Sequence, residues 1–597
     1  MTLSPKKSIF LFLFASFQVL IFFLFYTSYQ FIIISLFLVF LFFYFWFFKL
    51  KITFDLRVGM LWLGLILFLC ISSIFSHSLP LSLDNIVFYA SSFCIFIFFK
   101  SLGLSKIFSK SQIAATFLLV GFVLSMFFIL FFSFPETSEF LPPVNFFTTH
   151  YGHNHFAALL LFLIPLSWWF ISSSEYKFFA YRKSILVLFY TLIIFSFGRF
   201  ATLLTIIQLF FIPGIINKKF FKKIYLYLVG IILASSLVIG AMVSLNSVSN
   251  CLVNEFKIQL CKPITNEARP EYFKQAVRSL KAYPLFGYGP GSFSLISKRF
   301  NTTSQSFSIY AHNNFLQIFS ESGVIVGIIY VLLIGLLYKN MFSVLKKSKD
   351  GNRLNSFLYL GLVSLLINSF IDFDWELFPI FQMVIIFIAV VLWDYQGAYF
   401  DNKRIFLVLK KSINYFLFFL MVMLIGLGFI NFVTKILING GNEEITFRIF
   451  PYFYSQSEFF LTEADISEEQ TDLLYKIYEN HDKFILNNIE KEPNIDKKIE
   501  LYKKLMVVRL YDVTNTNYYQ LLLDQGMYVS LGEASYKGLS MLIENENNGM
   551  GQSYIVKENI INYLLLSAHW HEENGEYDLY KKYYDFIESI WNKDWSN

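Results

Sequence analysis

The stretch FLQIFSESGVIVGIIYVLLIGLLY, residues 315–338, decides the fold of this chain. After a partly polar start it becomes a continuous apolar run, and roughly 20 such residues form a helix that crosses the hydrocarbon core of a bilayer. Hydrophobic residues make up 56% of the 597-residue chain, and a soluble protein of this length could not bury so much apolar surface. The sequence therefore predicts an all-α protein whose main part is a polytopic transmembrane helix bundle.

Further apolar runs of the same kind bring the number of predicted spans to thirteen. They lie at 8–27, 31–49, 58–76, 84–100, 112–134, 155–173, 184–198, 200–217, 224–245, 312–338, 354–371, 377–394 and 405–436. The connection between the seventh and eighth runs is very short, so the expected number of spans is about 12–14.

The lysines and arginines between these runs fall in alternate loops, such as KLK at 49–51, KKFFKK at 218–223 and KKSK at 346–349. Loops rich in these residues stay in the cytoplasm by the positive-inside rule. This pattern predicts a cytoplasmic N-terminus and a C-terminus on the opposite side. The long loop at 246–311 then lies on the outer face, and whether its Cys251 and Cys261 form a disulfide depends on an oxidising compartment.

The chain divides into two parts of opposite charge. Residues 1–437 carry 34 basic and 15 acidic side chains, a net charge of +19, whereas residues 438–597 carry 14 basic and 27 acidic ones, a net charge of −13. We therefore predict a transmembrane domain at 1–437 and a soluble domain at 438–597. Apolar residues recur at helical spacing in the second part, as at 495–512, which predicts a helical, repeat-like domain. A solvated helical cap and an acceptor-binding module are both compatible with this pattern.

Most of the unusual polar residues lie on the predicted outer face. The segment HYGHNHF carries His150, His153 and His155, together with Asn154, at the start of a predicted span. Three histidines at this spacing could suggest zinc, but no Cys or clear fourth ligand adjoins them. We therefore expect no metal here and interpret the segment as a polar surface that recognises a ligand.

The glycine-rich stretch FGYGPGSF at 286–293 contains Tyr288 and Gly289. It lacks the Lys-Ser/Thr pair of a phosphate-binding loop and the preceding strand of a dinucleotide-binding fold, so no nucleotide cofactor is predicted. Its glycines instead predict a tight turn that allows the backbone to approach a ligand or another helix.

His312 stands where the long loop meets the apolar run that follows, beside Asn313 and Asn314. A lone histidine at such a boundary is more often an interfacial hydrogen-bonding residue than a catalytic one. Glu321 is a carboxylate inside the predicted span, which is costly in lipid and therefore a functional candidate. We expect it to pair with an arginine or with a backbone group of the bundle.

Two arginines on the outer side are further candidates. Arg199 interrupts an apolar run and needs an anionic partner or a water-filled cavity. Arg269 begins a predicted helix with Pro270 in its first turn. The acidic stretch DFDWE at 372–376 is expected to be a solvated rim at the outer end of a span.

With these motifs in order, the chain resembles the O-antigen ligase and polymerase superfamily. The resemblance rests on an Arg-initiated helix followed by YPLFGYGPGSF and then by AHNNFLQIFSESGVIVG. GHNHFAALLLFLIPL and FSFGRFATLL stand where that superfamily carries its N-H-F-A-type and S-R segments. The resemblance covers roughly residues 150–395. The chain departs from the family's pattern at Gly198, where the family commonly has Ser.

The resemblance implies a metal-independent, inverting glycosyltransferase of C-type topology in the bacterial inner membrane, with a periplasmic C-terminal domain. Such enzymes transfer a glycan from undecaprenyl diphosphate to lipid A core, to a growing glycan or to a protein. His312 is implied as the catalytic base, and Arg199 and Arg269 as ligands of the diphosphate. Binding or supporting roles fall to His153, Asn154, His155, Tyr288, Gly289, Asn313, Asn314 and Glu321. No cofactor and no nucleic-acid partner are implied.

Other functions stay open at this point. A ligase, a polymerase and a protein O-oligosaccharyltransferase share these motifs, and the acidic tail mildly disfavours a plain polymerase. A flippase or other transporter of lipid-linked glycans would place charges deep in several spans, whereas here they gather on one face. A membrane scaffold that presents the acidic tail is the third alternative.

Overall fold

The computed structural model describes residues 5–24, 30–48, 55–105, 107–133, 152–173, 182–196, 198–215, 268–300, 307–347, 353–395, 403–439, 482–508, 514–547 and 554–594. Within these ranges the chain forms α-helices and two short 3₁₀ turns and contains no strand, which confirms the all-α prediction.

The helices follow the predicted apolar runs closely. The apolar part contains α1 (Pro5–Leu24), α2 (Gln30–Phe47), α3 (Leu56–Ile74), α4 (Leu79–Leu104), α5 (Lys110–Ser133), α6 (Gly152–Ser172), α7 (Arg182–Phe195), α8 (Arg199–Ile215), α9 (Arg269–Ala282), α10 (Phe293–Phe300), α11 (Asn314–Lys347), α12 (Arg353–Asn368), α13 (Phe378–Val391) and α14 (Lys403–Asn439). The 3₁₀ turns are Asp374–Glu376 and Leu392–Asp394. Every predicted span coincides with one of these helices except 224–245, which lies outside the described residues.

Five of the described helices are long and apolar enough to cross a membrane, namely α3, α4, α5, α6 and α11. Shorter apolar segments lie in α1, α2, α8, α12, α13 and α14. This composition is that of a multi-pass membrane protein.

The centre of the bundle is formed by α6 and α13. All residues of α13 are buried, and α6 packs against α5, α7, α8 and α12. A helix that is apolar on every side must be enclosed by other helices, and α13 has α4, α11 and α12 as neighbours. The connection 369–377 leads directly into this buried helix and is therefore anchored to the centre of the bundle.

Helix α11 is interrupted at Gly323, whose φ is 83° and ψ is 176°. A Cβ atom at Gly323 would overlap the carbonyl group of Leu285, and one at Gly287, with φ 71°, would overlap the carbonyl group of Glu321. The two glycines therefore allow the FGYGPGSF turn and the break in α11 to approach each other backbone to backbone. The predicted close approach of this turn to another helix is found in the structure.

We expect Gly323→Ala to destabilise the protein by about 3 kcal/mol, because it adds overlap to a left-handed backbone conformation. Gly335→Ala in the same helix is the matched control, since nothing lies within 4 Å of a Cβ atom at that position. Thermal unfolding of both variants in detergent measures the difference. Equal transition temperatures for the two variants would show that the turn does not need this glycine.

The C-terminal part contains α15 (Asp482–Lys491), α16 (Ile495–Val508), α17 (Thr514–Asp524), α18 (Tyr528–Asn547), α19 (Tyr554–Glu573) and α20 (Tyr577–Asp594). The amphipathic helix predicted at 495–512 corresponds to α16. Consecutive helices pack against each other around a core of their own, which includes Leu505, Leu539 and Leu564. Helix α16 also contacts α10 of the loop before α11.

Candidate active site

The connection between α12 and α13 lies at the centre of the candidate site. The prediction that DFDWE forms a solvated rim is wrong, because Asp372 is 6% exposed and Asp374 is fully buried. The connection packs against other segments, including the residues around the start of α11. Each of its three carboxylates therefore faces a polar side chain from another segment.

Asp372 joins two residues that the sequence analysis selected separately. Nδ1 of His312 lies 3.3 Å from Oδ1 of Asp372, and Nη2 of Arg269 lies 3.4 Å from Oδ2 of the same carboxylate. Burial raises the pKa of Asp372, but the contact with His312 and the charge of Arg269 outweigh this effect and hold it below its usual range. Asp372 is therefore an ionised carboxylate that bridges an imidazole and a guanidinium.

His312 adopts a left-handed backbone conformation that is uncommon among residues other than glycine, with φ 53°. Its ring stacks on Tyr272 with centroids 5.3 Å apart and meets the Phe373 ring edge-on at 4.7 Å. The next residue, Asn313, caps α11: its Oδ1 accepts from the backbone N–H of Leu316 at 2.9 Å. These contacts fix the imidazole between two aromatic rings and a carboxylate.

Asp374 holds a second histidine. Nδ1 of His155 lies 2.8 Å from Oδ1 of Asp374, both side chains are fully buried, and Asn368 donates to the other oxygen. His155 also meets Phe373 edge-on at 4.5 Å, so this ring touches both imidazoles. The full burial of His155 suits a supporting role and argues against direct contact with a substrate.

Glu376 is the third carboxylate of the connection between α12 and α13. The side-chain amide of Asn314 donates to Oε1 of Glu376 at 3.1 Å, and the backbone N–H of Asn314 donates to the carbonyl oxygen of Ser369 at 3.0 Å. Burial raises the pKa of Glu376 to about 7, and the hydrogen bond from Asn314 partly opposes this rise.

The raised pKa of Glu376 predicts a pH dependence of stability. An unfolded glutamate loses its proton near pH ~4.3, so between about pH 4 and pH 7 the folded state holds more protons and its stability falls as pH rises. Glu376→Gln has no titratable group at this position and should not show this loss of stability. We therefore expect the transition temperature of the variant, relative to that of the wild type, to be about 2 °C or more higher at pH 8 than at pH 5. Thermal unfolding at both values checks this, and parallel curves for the two proteins contradict it.

Glu321 pairs with backbone groups, which was one of the two alternatives expected for it. Its carboxylate oxygens accept from the N–H groups of Gly291 and Phe293, each at 2.9 Å, and from the side-chain amide of Gln317. Its carbonyl oxygen accepts from the N–H of Gly289 at 2.7 Å. Glu321 therefore holds the FGYGPGSF turn against the first segment of α11.

Tyr288 of this turn is buried and stacks on His77, with ring centroids 3.9 Å apart. The backbone N–H and Nδ1 of His77 approach the carbonyl oxygen of Tyr288 at 3.1 and 3.0 Å. The turn is thus anchored on one side to α11 and on the other to the connection between α3 and α4.

Arg199 is exposed at the first position of α8. A Cβ atom at the preceding Gly198 would lie 2.6 Å from the Cβ of Ala157 and 3.7 Å from Oδ1 of Asn154, which explains why Ser does not stand there. Among the described residues, no hydrogen bond or ion pair joins Arg199 to His312 or Asp372. The structure therefore brings Arg199 next to α6 and does not bring it into contact with the other site residues.

Part of the HYGHNHF segment lies outside what the structure describes. His150 is outside the described residues, as are Cys251 and Cys261, and the side chain of His153 is not described although the residue lies in α6. Within the described part of the chain, no three His, Cys, Asp or Glu side chains form a metal-binding group. Metal-free chemistry at this site stays a prediction.

Four residues of the site were not predicted from the sequence, namely Asp372, Asp374, Tyr272 and His77. A usable signal was present for the two aspartates, because DFDWE puts acidic residues directly before a fully apolar run, where burial is expected. For Tyr272 and His77 no local pattern indicates a role, since each gains its contacts from residues far away in the chain.

A known protein family matches the part of the chain that contains Arg199, Arg269 and His312. The match extends over residues 184–331. That family is the O-antigen ligases. The resemblance predicted from the sequence is thereby confirmed. The O-antigen ligase match supports glycan transfer of the ligase or polymerase type in a membrane setting with a lipid-linked donor. No curated protein matches the chain.

Proposed function

We propose that this protein transfers a glycan from undecaprenyl diphosphate to an acceptor hydroxyl on the outer face of the bacterial inner membrane, without a metal ion and with inversion. The observation that carries the proposal is the carboxylate of Asp372, which contacts His312 through one oxygen and Arg269 through the other. Such a transfer needs a base and a phosphate-binding cation close together, and this contact supports the assignment of these roles to His312 and Arg269.

The imidazole of His312 serves as the base. Nδ1 faces the carboxylate of Asp372 at 3.3 Å, so we assign a proton to Nδ1 and make Nε2 the nitrogen that accepts the proton of the acceptor hydroxyl. The hydroxyl oxygen forms a bond to the anomeric carbon while the bond from that carbon to the diphosphate oxygen breaks. The electron pair of the broken bond leaves with the diphosphate, and the proton passes from His312 to solvent.

Arginine takes the part that a metal ion plays in many phosphate-dependent enzymes. The guanidinium group stays charged at working pH and binds phosphate oxygens in pairs, so it stabilises the negative charge that develops on the leaving diphosphate. Arg269 is 24% exposed beside Asp372 and Arg199 is exposed at the start of α8, so both guanidinium groups are accessible to a ligand. We assign both to the diphosphate.

The remaining parts of the proposal concern the surroundings. His155, Asn313, Asn314 and Glu321 support the site through the contacts described above, and Asn154 lies close to Gly198, the residue before Arg199. The N-terminus lies in the cytoplasm and the 438–597 domain in the periplasm. The acceptor is lipid A core, a growing glycan or a protein.

Transfer to a protein is the second candidate activity, and one contact favours it. Helix α16 of the C-terminal part packs against α10, which lies between the FGYGPGSF turn and the loop before α11. An acidic helical domain held at this place is suited to present a protein acceptor to the site. A plain polymerase does not need such a domain.

Reconstitution of the purified protein tests the proposal. We expect transfer from an undecaprenyl-diphosphate-linked oligosaccharide in the presence of EDTA to at least one of three acceptors supplied separately: lipid A core, a free glycan and a periplasmic protein. Product formation is followed by mass spectrometry. Transfer that requires added Mg²⁺ contradicts the metal-free mechanism, and translocation of the donor without transfer favours a flippase.

A further inference from the structure

A second group of residues lies on the other side of the FGYGPGSF turn. It consists of His77, Tyr283, Tyr288 and Arg299 and is called the His77 cluster below. The rings of His77 and Tyr288 are nearly parallel, with an angle of 7° between them, and Tyr283 meets each of them edge-on at 5.1 and 5.2 Å. Tyr288 is buried, whereas His77 and Tyr283 are partly exposed and together form one aromatic surface.

Arg299 supplies a cation for which no ion pair is found among the residues that the structure describes. Its Nη1 is buried and makes no hydrogen bond within the part of the chain that the structure describes. By contrast, Nη1 of Arg278 on the neighbouring helix bonds to Glu271 at 2.9 Å and to the carbonyl oxygen of Phe300 at 3.0 Å. A buried guanidinium N–H without a partner is costly, so an anionic ligand at Arg299 would be stabilising.

Arg299 lies in the last turn of α10, and the ring of the next residue, Phe300, meets the ring of Tyr288 edge-on with centroids 6.2 Å apart. The charge of Arg299 is therefore felt at the aromatic rings. Burial lowers the pKa of His77, the contact with the Tyr288 carbonyl group partly opposes this, and the positive charge of Arg299 lowers it further. His77 is therefore neutral at pH 7 and contributes an uncharged ring. The cluster combines the partly exposed rings of His77 and Tyr283 with the positive charge of Arg299.

We propose that the His77 cluster binds an acidic sugar of the glycan substrate, with the oxyanion on Arg299 and the sugar ring against the aromatic surface. The proposal rests on the proposed function in that it takes a glycan to be the substrate. Carboxylate and phosphate oxygens are both suitable partners of a guanidinium group, and the C–H face of a sugar ring packs well on an aromatic ring. A small anion that carries no sugar ring would not contact the aromatic surface.

The cluster is connected rigidly to the candidate active site. The backbone N–H of Tyr288 donates to the carbonyl oxygen of Ser320 at 3.2 Å, and Ser320 belongs to the same segment of α11 that follows His312. Arg199 and Arg269, which are assigned to the diphosphate, are not part of the cluster. A sugar bound here is therefore distinct from the reacting diphosphate and belongs to the recognition of the glycan.

Binding is tested with the full chain in detergent micelles. Methyl β-D-glucuronide is compared with the uncharged methyl β-D-glucoside by saturation-transfer NMR. We expect the glucuronide to bind at least ~10-fold more tightly and Arg299→Gln to abolish the difference, because one charge-assisted contact is lost. Arg299→Lys keeps the charge and should retain part of it, whereas Lys281→Gln, at an exposed cation of the same loop, should change nothing.

Two further titrations separate the sources of the anion. Inorganic phosphate should bind more weakly than the glucuronide, and Tyr283→Ala should weaken the glucuronide only. Phosphate binding as tight as that of the glucuronide overturns the proposal in favour of a simple anion site. Loss of glucuronide binding in nanodiscs that contain phosphatidylglycerol, but not in zwitterionic ones, overturns it in favour of a lipid headgroup.

The same titration with His312→Ala keeps the two proposals distinguishable. This variant should bind the glucuronide as the wild type does, because binding requires no transfer. Equal binding of glucuronide and glucoside by the wild type overturns the sugar-acid proposal and leaves glycan transfer untouched. Circular dichroism and thermal unfolding of every variant show that a loss of binding is not a loss of fold.

Discussion

His312→Ala is expected to lower glycan transfer by about 10²–10⁴-fold while the protein still accumulates in the membrane. The reason is that the acceptor hydroxyl loses its base, whereas the donor keeps both arginines. In the structure the imidazole contacts Asp372 and lies between Tyr272 and Phe373, whereas the nearby His155 is fully buried against Asp374 and is not available to replace it. Transfer in membranes that contain equal amounts of wild type and variant is the measurement.

The backbone at His312 requires a second variant. Because φ is 53°, alanine adds local strain there, and reduced activity could then arise from a displaced loop. His312→Asn avoids this, since asparagine tolerates the left-handed conformation well. We expect Asn to be as inactive as Ala and more stable. His569→Ala, at a histidine that is 74% exposed in the C-terminal part, is the matched control and should transfer normally. Full transfer by His312→Asn would remove His312 from the mechanism.

The fold follows from the sequence because long apolar runs have few alternatives in lipid. The predicted spans 8–27, 155–173 and 405–436 reappear as α1, α6 and α14 with small shifts at their ends. A membrane-spanning backbone must satisfy its own hydrogen bonds, so an apolar run of sufficient length is a helix. The break at Gly323 could not be predicted in this way, since it depends on the carbonyl group of Leu285 from another segment.

The candidate site was predictable only in part. His312, Arg269 and Glu321 stand out because charged or titratable groups at a membrane boundary are unusual. The partners of His312 and Arg269 do not stand out, since acidic residues at the end of a span usually face water. What makes Asp372 different is its burial beneath the loop before α11, and burial arises from the packing of distant segments. The distance between Arg199 and His312 could not be predicted either, because it also depends on how distant segments pack.

A comparison of Asp372 with Asp374 distinguishes a role in positioning the base from a purely structural role. Its neighbour Asp374 is buried in the same connection but contacts His155 and Asn368, not the proposed base. A purely structural role would make the two aspartates alike. A role in catalysis predicts that Asp372 affects transfer more than stability and that Asp374 does the reverse.

Asp372→Asn is therefore expected to lower transfer by about 10²-fold or more, with a smaller effect on the transition temperature than Asp374→Asn. The amide keeps the shape of the carboxylate but loses the charge that orients the imidazole and balances Arg269. Asp372→Glu should restore part of the transfer, because it restores the negative charge beside His312 and Arg269. Equal loss of transfer in both Asn variants, or no rescue by Asp372→Glu, would contradict the positioning role, because then the charge on Asp372 would not act through His312.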